Sequence, residues 1–405
     1  MVKSDTFDVV IVGGGAVGVT LALQLEQLDY RVAVVELVRP SFSSSEPERV
    51  IALNYGSRAH LEKIGLWKQL ETSGVGNIRN IVVSEAGNRG RASLKVSELP
   101  ELSDFGYVVE MGLLLEPMYQ ALQASSVTIF SPATVETLFN GDKGVDIKLR
   151  LGDSEQWLHA ALLVGADGTN SQIRRMAKIA VCGWDYNRFG VVASVTCSQR
   201  HVDVAYECFR HAGPLAFLPL ADGRFSIVWA VTPAEASQLM AMDDECFLST
   251  LRRAVGTQVL QQLDSFTAVS KRALFPLELT IAKKYTVGRI ALVGNAAHTI
   301  HPVAGQGMNL GLRDVDDLVA VLDSPLGRTD PGQKIVLQAY SEKRRADVLA
   351  VVGFTESMLH TFASRLPVLK WLRGWGLDKL VSMPKLKALL LRQASGLAQL
   401  GGRNE

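Results

Sequence analysis

Three glycine-rich strings carry the residue types that hold a bound nucleotide. The first is Gly13-x-Gly15-x-x-Gly18, with Glu36 farther along. Gly13 permits a tight turn, Gly15 lets a pyrophosphate approach the backbone, and Gly18 lets helix and strand pack closely. Glu36 is placed to accept hydrogen bonds from an adenosine ribose. This string by itself does not separate FAD from NAD. The second is Gly165-Ala166-Asp167-Gly168-x-x-Ser171-x-x-Arg174. Taken alone it also reads as a strand-end turn before a helix, with Ser171 near the cap. The third runs Gly288-Arg289-Ile290-Ala291-Leu292-Val293-Gly294-Asn295-Ala296-Ala297-His298, then His301-Pro302-Val303-Ala304-Gly305-Gln306-Gly307-Met308-Asn309. A Gly-rich loop that opens a helix offers consecutive N–H groups and a positive dipole end. A reduced isoalloxazine needs such donors around N1 and its neighbouring carbonyl; a nicotinamide does not. The third string therefore points to FAD.

These strings need elements to hold them. Phe7–Val12 is strand-like, Ala16–Asp29 has helical apolar spacing, and Arg31–Glu36 is strand-like again, a βαβ unit of a parallel sheet. Leu158–Ala166 and Arg289–Val293 are further buried-strand candidates, with a helix starting near Gln306. The texture changes over Phe189–Thr196, Ala205–Arg210, Leu215–Leu220 and Phe225–Val231, short strands with turn residues between them. Asp222-Gly223 is a hairpin signal. Phe225, Ile227 and Trp229 alternate with Ser226 and Val228, which predicts a mostly antiparallel sheet with one covered face. From about Pro331 the chain reads as helices, with Leu386, Leu389, Leu390 and Leu397 on one face.

The chain has 405 residues, more than one core usually serves, so two lobes are expected. Lys and Arg total 42 against 41 Asp and Glu, which gives no reason to expect a nucleic-acid partner. No secretion signal is readable and no apolar run approaches the ~20 residues of a membrane span. Cys182, Cys197, Cys208 and Cys246 form no CxxC pair, as in a reduced cytoplasmic protein. His298 and His301 form HxxH, but without a carboxylate in the segment no metal is expected.

The three strings, in this order and spacing, resemble the group A FAD-dependent aromatic monooxygenases with the p-hydroxybenzoate hydroxylase fold. Over nearly its full length the chain resembles the ubiquinone-biosynthesis hydroxylases among them. Arg49-Val50-Ile51-Ala52-Leu53-Asn54, the segment His211–Leu220 with Asp222-Gly223-Arg224, and Gly311-Leu312-Arg313-Asp314-Val315 carry that likeness too. Most members have Asp where this chain has Asn295; the branch it resembles most, the 2-polyprenyl-6-methoxyphenol hydroxylases, uses Asn, and an amide still hydrogen-bonds the ribityl chain. After Val108-Val109-Glu110 the family presents Asn and Gln. Here Met111-Gly112-Leu113-Leu114-Leu115-Glu116-Pro117 follows, with Glu116 near the Gln position, and no role is carried onto it.

The resemblance implies an α/β fold: a Rossmann-like FAD-binding lobe (1–70, 107–180, 280–330), an inserted, mostly antiparallel β-sheet substrate lobe (71–106, 181–279), and C-terminal helices (331–405). It implies that Gly13, Gly15, Gly18, Glu36, Arg49, Asp167, Gly168, Asn295, Gly307, Met308 and Asn309 bind FAD. Pro302, Gly305, Gln306 and Gly307 would position the flavin at the reacting centre, with no acid or base assigned. Hydroxylation would run through a flavin C4a-hydroperoxide with NAD(P)H and O2 as co-substrates. The implied substrate is a polyprenylated phenol, most specifically 2-polyprenyl-6-methoxyphenol hydroxylated at C1. Sister hydroxylation at another ring carbon, a prenyl reductase, a halogenase (its WxWxIP-like segment is absent), and a non-catalytic FAD-binding subunit of a biosynthetic assembly are the alternatives. Lys370, Arg373, Lys379, Lys385, Lys387 and Arg392, with Trp371 and Trp375, read either as a solvated face or as a peripheral contact with anionic membrane or a partner.

Overall fold

Val9–Val12 are buried β-branched residues on both faces of Asp5–Val12, the pattern of a central parallel strand. In the computed structural model, which describes residues 5–39, 49–86, 91–198, 203–255, 259, 262–263, 265–363, 391–392 and 395–396, this strand sits in an eight-stranded sheet. Its parallel neighbours are Ser154–Gly165 and Val32–Val35. Ile290–Leu292 and Thr128–Phe130 extend it in the same direction. All three glycine-rich strings follow strands of this one sheet at their C-terminal ends, the usual place for ligands in open parallel sheets. The helix Ala16–Glu26 leaves the first string and Gln306–Leu322 leaves the third.

The second large sheet has nine strands. Its path runs His298–Thr299, Ala273–Ala282, Val181–Cys197, Phe225–Val231, Leu215–Pro219, Val204–Phe209, Asn80–Glu85, Arg91–Lys95, and only Val204–Phe209 with Asn80–Glu85 pair in parallel. The expectation of one covered face is corrected. Phe225, Ile227 and Trp229 do pack against the helices Pro233–Ala241 and Asp244–Val255. The opposite face, with Ser226 and Val228, is not left to solvent: it walls an internal cavity. A third sheet of Val50–Asn54, Gly106–Glu110 and Gly76–Ile78 also contributes to that cavity.

The chain then forms the long helix Lys334–Ala363, packed on Gln306–Leu322. The four leucines of the proposed C-terminal face lie outside the described residues, as do Trp371, Trp375 and five of the six basic residues named with them. The sixth, Arg392, pairs with Glu101 at 3.0 Å. Among the described residues no helix is long and apolar enough to cross a membrane.

Candidate active site

The first turn is built on two close approaches. Gly13 has φ +113°, and a Cβ at Gly18 would stand 2.0 Å from the Gly13 carbonyl oxygen. Gly15 differs: a Cβ there would meet nothing within 4 Å, because this residue opens onto the cavity. It also starts the helix Ala16–Glu26 with no side-chain cap, so the first helical N–H groups keep room for an anion. Glu36 accepts from the Gly14 N–H at 2.6 Å and from the Val38 N–H at 3.0 Å. A carboxylate has about four lone-pair sites, so ribose hydroxyls can still be accepted. Tyr119, which the sequence reading missed, donates to the Gly14 carbonyl at 2.7 Å.

Asp167, expected at the cofactor, makes its contacts within the protein to the helix that follows it. Its carboxylate accepts from the Ser171 hydroxyl and from the N–H groups of Gln172 and Ile173, at 2.6 and 3.0 Å, and so caps the helix Gln172–Met176. Gly168 and Thr169, not the Asp167 side chain, reach the cavity wall. Thr169 in turn accepts from Thr299 at 2.9 Å and from Asn295 at 3.5 Å. Arg174 donates to the carbonyls of Ala296 and Thr169 at 2.8 and 2.7 Å, which ties the second string to the third.

A cavity of about 1230 Å³ lies between the two large sheets. One side carries Gly15, Arg49, Gly168, Asn295, Pro302 and the run Gly305–Asn309. Gly305 holds φ +60° as the uncapped start of Gln306–Leu322. The Asn309 side chain is saturated within the protein. Its oxygen accepts from the Asn54 N–H (2.8 Å) and the Ser57 hydroxyl (2.6 Å), and its nitrogen donates to the carbonyls of Ala52 and Gly305. It locks the loop, so a cofactor contact from this residue falls to its backbone. Arg49, largely exposed, lies at the rim. In the segment left without a role, Met111 lines the cavity and Glu116 is exposed on the helix Met111–Ala124.

The segment of the two histidines carries no carboxylate, but one reaches His298 from outside it. Asp314, from the helix after the loop, lies 2.7 Å from His298 Nε2. It also accepts from the Gly294 N–H and from Arg344 Nε, both at 2.6 Å. Burial alone would raise the Asp314 carboxyl; the facing His298 and Arg344 outweigh it and hold it below the usual carboxylate range. His301 lines the cavity edge-on to the Tyr186 ring, and burial pushes its pKa down to about 4.

The wide cavity, the donors along its loop side and the open approach at Gly15 fit an FAD; the first turn would hold its diphosphate. The comparisons with known proteins show an FAD-binding family. The family model described as "FAD binding domain" matches residues 6–355. The 3-demethoxyubiquinol 3-hydroxylase of Escherichia coli is 34% identical over 395 residues, covering 96% of this chain and 98% of its own. Ubiquinone hydroxylase UbiL of Rhodospirillum rubrum is 34% identical over 408 residues, covering 97% and 90%. Among solved structures, p-nitrophenol 4-monooxygenase PnpA of Pseudomonas putida superposes with a TM-score of 0.80 over 96% of this chain and 98% of its own; at 20% identity it speaks for the fold alone. The chain belongs to the FAD-dependent aromatic monooxygenases and, within them, to the ubiquinone-biosynthesis hydroxylase family.

Proposed function

We propose that this enzyme hydroxylates the ring of a polyprenylated phenol in ubiquinone biosynthesis, using NAD(P)H and O2. The observation that carries the reading is one cavity shared by two kinds of wall: nucleotide-type turns on one side and an apolar β-sheet face on the other. Bound FAD supplies the redox chemistry that activates oxygen. The chain supplies the rest. The Gly15 turn and its helix N-terminus hold the diphosphate, Glu36 the adenosine ribose, and Asn295 the ribityl chain. Pro302 and Gly305–Met308 set the ring against the substrate wall with backbone groups. Val83, Ala92, Val192, Ala216 and Val228 exclude water there, which keeps reduced oxygen from escaping as H2O2. No second nucleotide-binding string is read, so the reductant binds transiently.

The expected step is 2-polyprenyl-6-methoxyphenol to 2-polyprenyl-6-methoxy-1,4-benzoquinol. The name of the Escherichia coli relative favours a second reading, a sister hydroxylation at another ring position. Mass-spectrometric profiling of quinone intermediates in cells lacking the protein decides between them, because the accumulating intermediate names the step. An unchanged profile, with purified protein that takes up no FAD, would refute both. A tailed substrate must also be reached at a lipid surface or through a partner. Lys370, Arg373, Lys379, Lys385, Lys387 and Arg392 are our candidates for reversible contact with anionic membrane, each worth about 1 kcal/mol at best. Salt-sensitive cosedimentation with anionic liposomes, reduced when all six become Gln, is the expected result; equal sedimentation of both proteins counts against it.

A further inference from the structure

Six residues on neighbouring strands form one row across the cavity wall. Ala92 pairs with Val83, Val83 with Glu207, Glu207 with Ala216, Ala216 with Val228, and Val228 with Val192. All six line the cavity. Five are small or apolar and one is an acid. Among the described residues no donor reaches the Glu207 carboxylate; its strand neighbours on this face, Val83 and Ala216, have none to give. A carboxylate placed in an apolar wall without a partner is costly to keep. A side chain that serves packing alone has no need of that charge.

We propose that Glu207 is a catalytic residue that accepts the proton of the substrate's ring hydroxyl during hydroxylation. This rests on the phenol-hydroxylase reading above. The hydroxyl O–H bond breaks and its proton passes to a Glu207 oxygen. The freed pair forms the ring C=O as a ring π pair makes the new C–O bond. O2 supplies that oxygen atom and its other atom leaves as water; NAD(P)H supplies the two electrons. The resulting dienone loses its C–H proton to water and regains aromaticity, and Glu207 returns its proton to the ring oxygen. The acid ends as it began. Burial among apolar neighbours pushes the Glu207 pKa up to about 7, near the value at which a proton acceptor works best at neutral pH. The other titratable cavity-lining side chains are Arg49, Tyr206, Glu278 and His301, and Glu85 follows two residues along the paired strand on the same face.

The test uses FAD-loaded wild type, Glu207→Gln and Glu207→Ala, with 2-methoxyphenol carrying one prenyl group, from pH 6 to 9. Glu207→Gln keeps shape and FAD content. Its kcat for hydroxylation is expected to fall roughly 10²-fold. The rise of wild-type kcat through about pH 7 is expected to vanish, and H2O2 per NAD(P)H to increase. The same pH profile and the same coupling in wild type and Glu207→Gln overturn the proposal. If wild type oxidises NAD(P)H yet hydroxylates no prenylated phenol, the phenol-hydroxylase reading fails instead. Titration of bound 4-nitrophenol then decides Glu207 separately. A neighbouring carboxylate keeps the phenol protonated to higher pH in wild type than in Glu207→Gln, and equal titrations overturn the contact.

Discussion

Gly15 and Gly18 look alike in the sequence and differ in space. A Gly18 side chain would run into the Gly13 carbonyl, whereas a Gly15 side chain would enter empty cavity. Gly15→Val is therefore expected to give folded protein that takes up no FAD, and Gly18→Val protein that melts well below wild type. Circular dichroism melts beside flavin absorbance separate the two; a yellow Gly15→Val would refute the diphosphate assignment. His301 yields a pH prediction. Its folded pKa of about 4 lies below the ordinary 6.5, so the unfolded chain binds the extra proton between these values. Its neutral form contributes stability that is fully present above about pH 6.5 and is lost as pH falls toward 4. At roughly 1.4 kcal/mol per pKa unit the loss is about 3 kcal/mol. Urea midpoints from pH 7 to 4 should fall more steeply for wild type than for His301→Gln, and parallel curves would discard the idea.

At the scale of elements, the flavin-side loop is held from behind. Asp314 takes three donors at once: the loop's Gly294 N–H, His298 within the loop, and Arg344 from the long helix. Asp316 extends the hold, with Lys63 at 3.0 Å and His60 at 3.1 Å on the helix Tyr55–Lys63. Removing one partner of a buried pair costs about 3–5 kcal/mol when the other charge is left stranded; Arg344 keeps Asp317 and Asp347, each 2.8 Å away, so the cost here is smaller. Asp314→Asn should lower the urea midpoint by less than that equivalent and weaken FAD binding, since one amide oxygen cannot replace the two carboxylate oxygens that Gly294, His298 and Arg344 share. An unchanged midpoint would show that Asp317 and Asp347 suffice for Arg344. This clamp marks the limit of what the sequence discloses. Gly13, Gly15 and Gly18 were legible because a tight turn is local and admits few residue types. The string Gly311–Val315 was legible only as a family marker, because Arg344 lies on a different helix and no periodicity links the two. The helix contacts of Asp167 were hidden for the converse reason: a strand-end acid reads equally as a ligand or as a helix cap, and its partners Gln172 and Ile173 show only in space. Glu207 gave one faint signal, a lone acid in the short strand Val204–Phe209. Its row could not be seen before strand order and register were known.

At the scale of the molecule, the cavity of about 1230 Å³ has an apolar wall beyond the residues proposed for the cofactor. Its loop end carries the cofactor residues. Another stretch of its wall is made by Val351, Phe354, Met358 and Phe362 of the long helix and by Leu274–Leu277 of the sheet, all apolar. Phe354 lines this stretch and is still 36% exposed, and Leu274 is 41% exposed, so the apolar wall continues to the protein surface there. An isoprenoid tail has to leave a buried ring by an apolar path, because each buried CH₂ gains about 0.8 kcal/mol over water. The path beside Met358 meets that need, and it predicts a separation between head and tail recognition. Met358→Trp adds bulk on this apolar stretch of the wall. KM for a phenol with three or more prenyl units should rise about tenfold, equivalent to about 1.4 kcal/mol. KM for the same phenol without a tail, kcat for both, and FAD content should stay near wild type. Steady-state kinetics on the two substrates makes the comparison. A Met358→Trp enzyme that treats tailed and tail-less phenols alike would place the tail elsewhere, and one that loses activity toward both would place the long helix at the reacting ring.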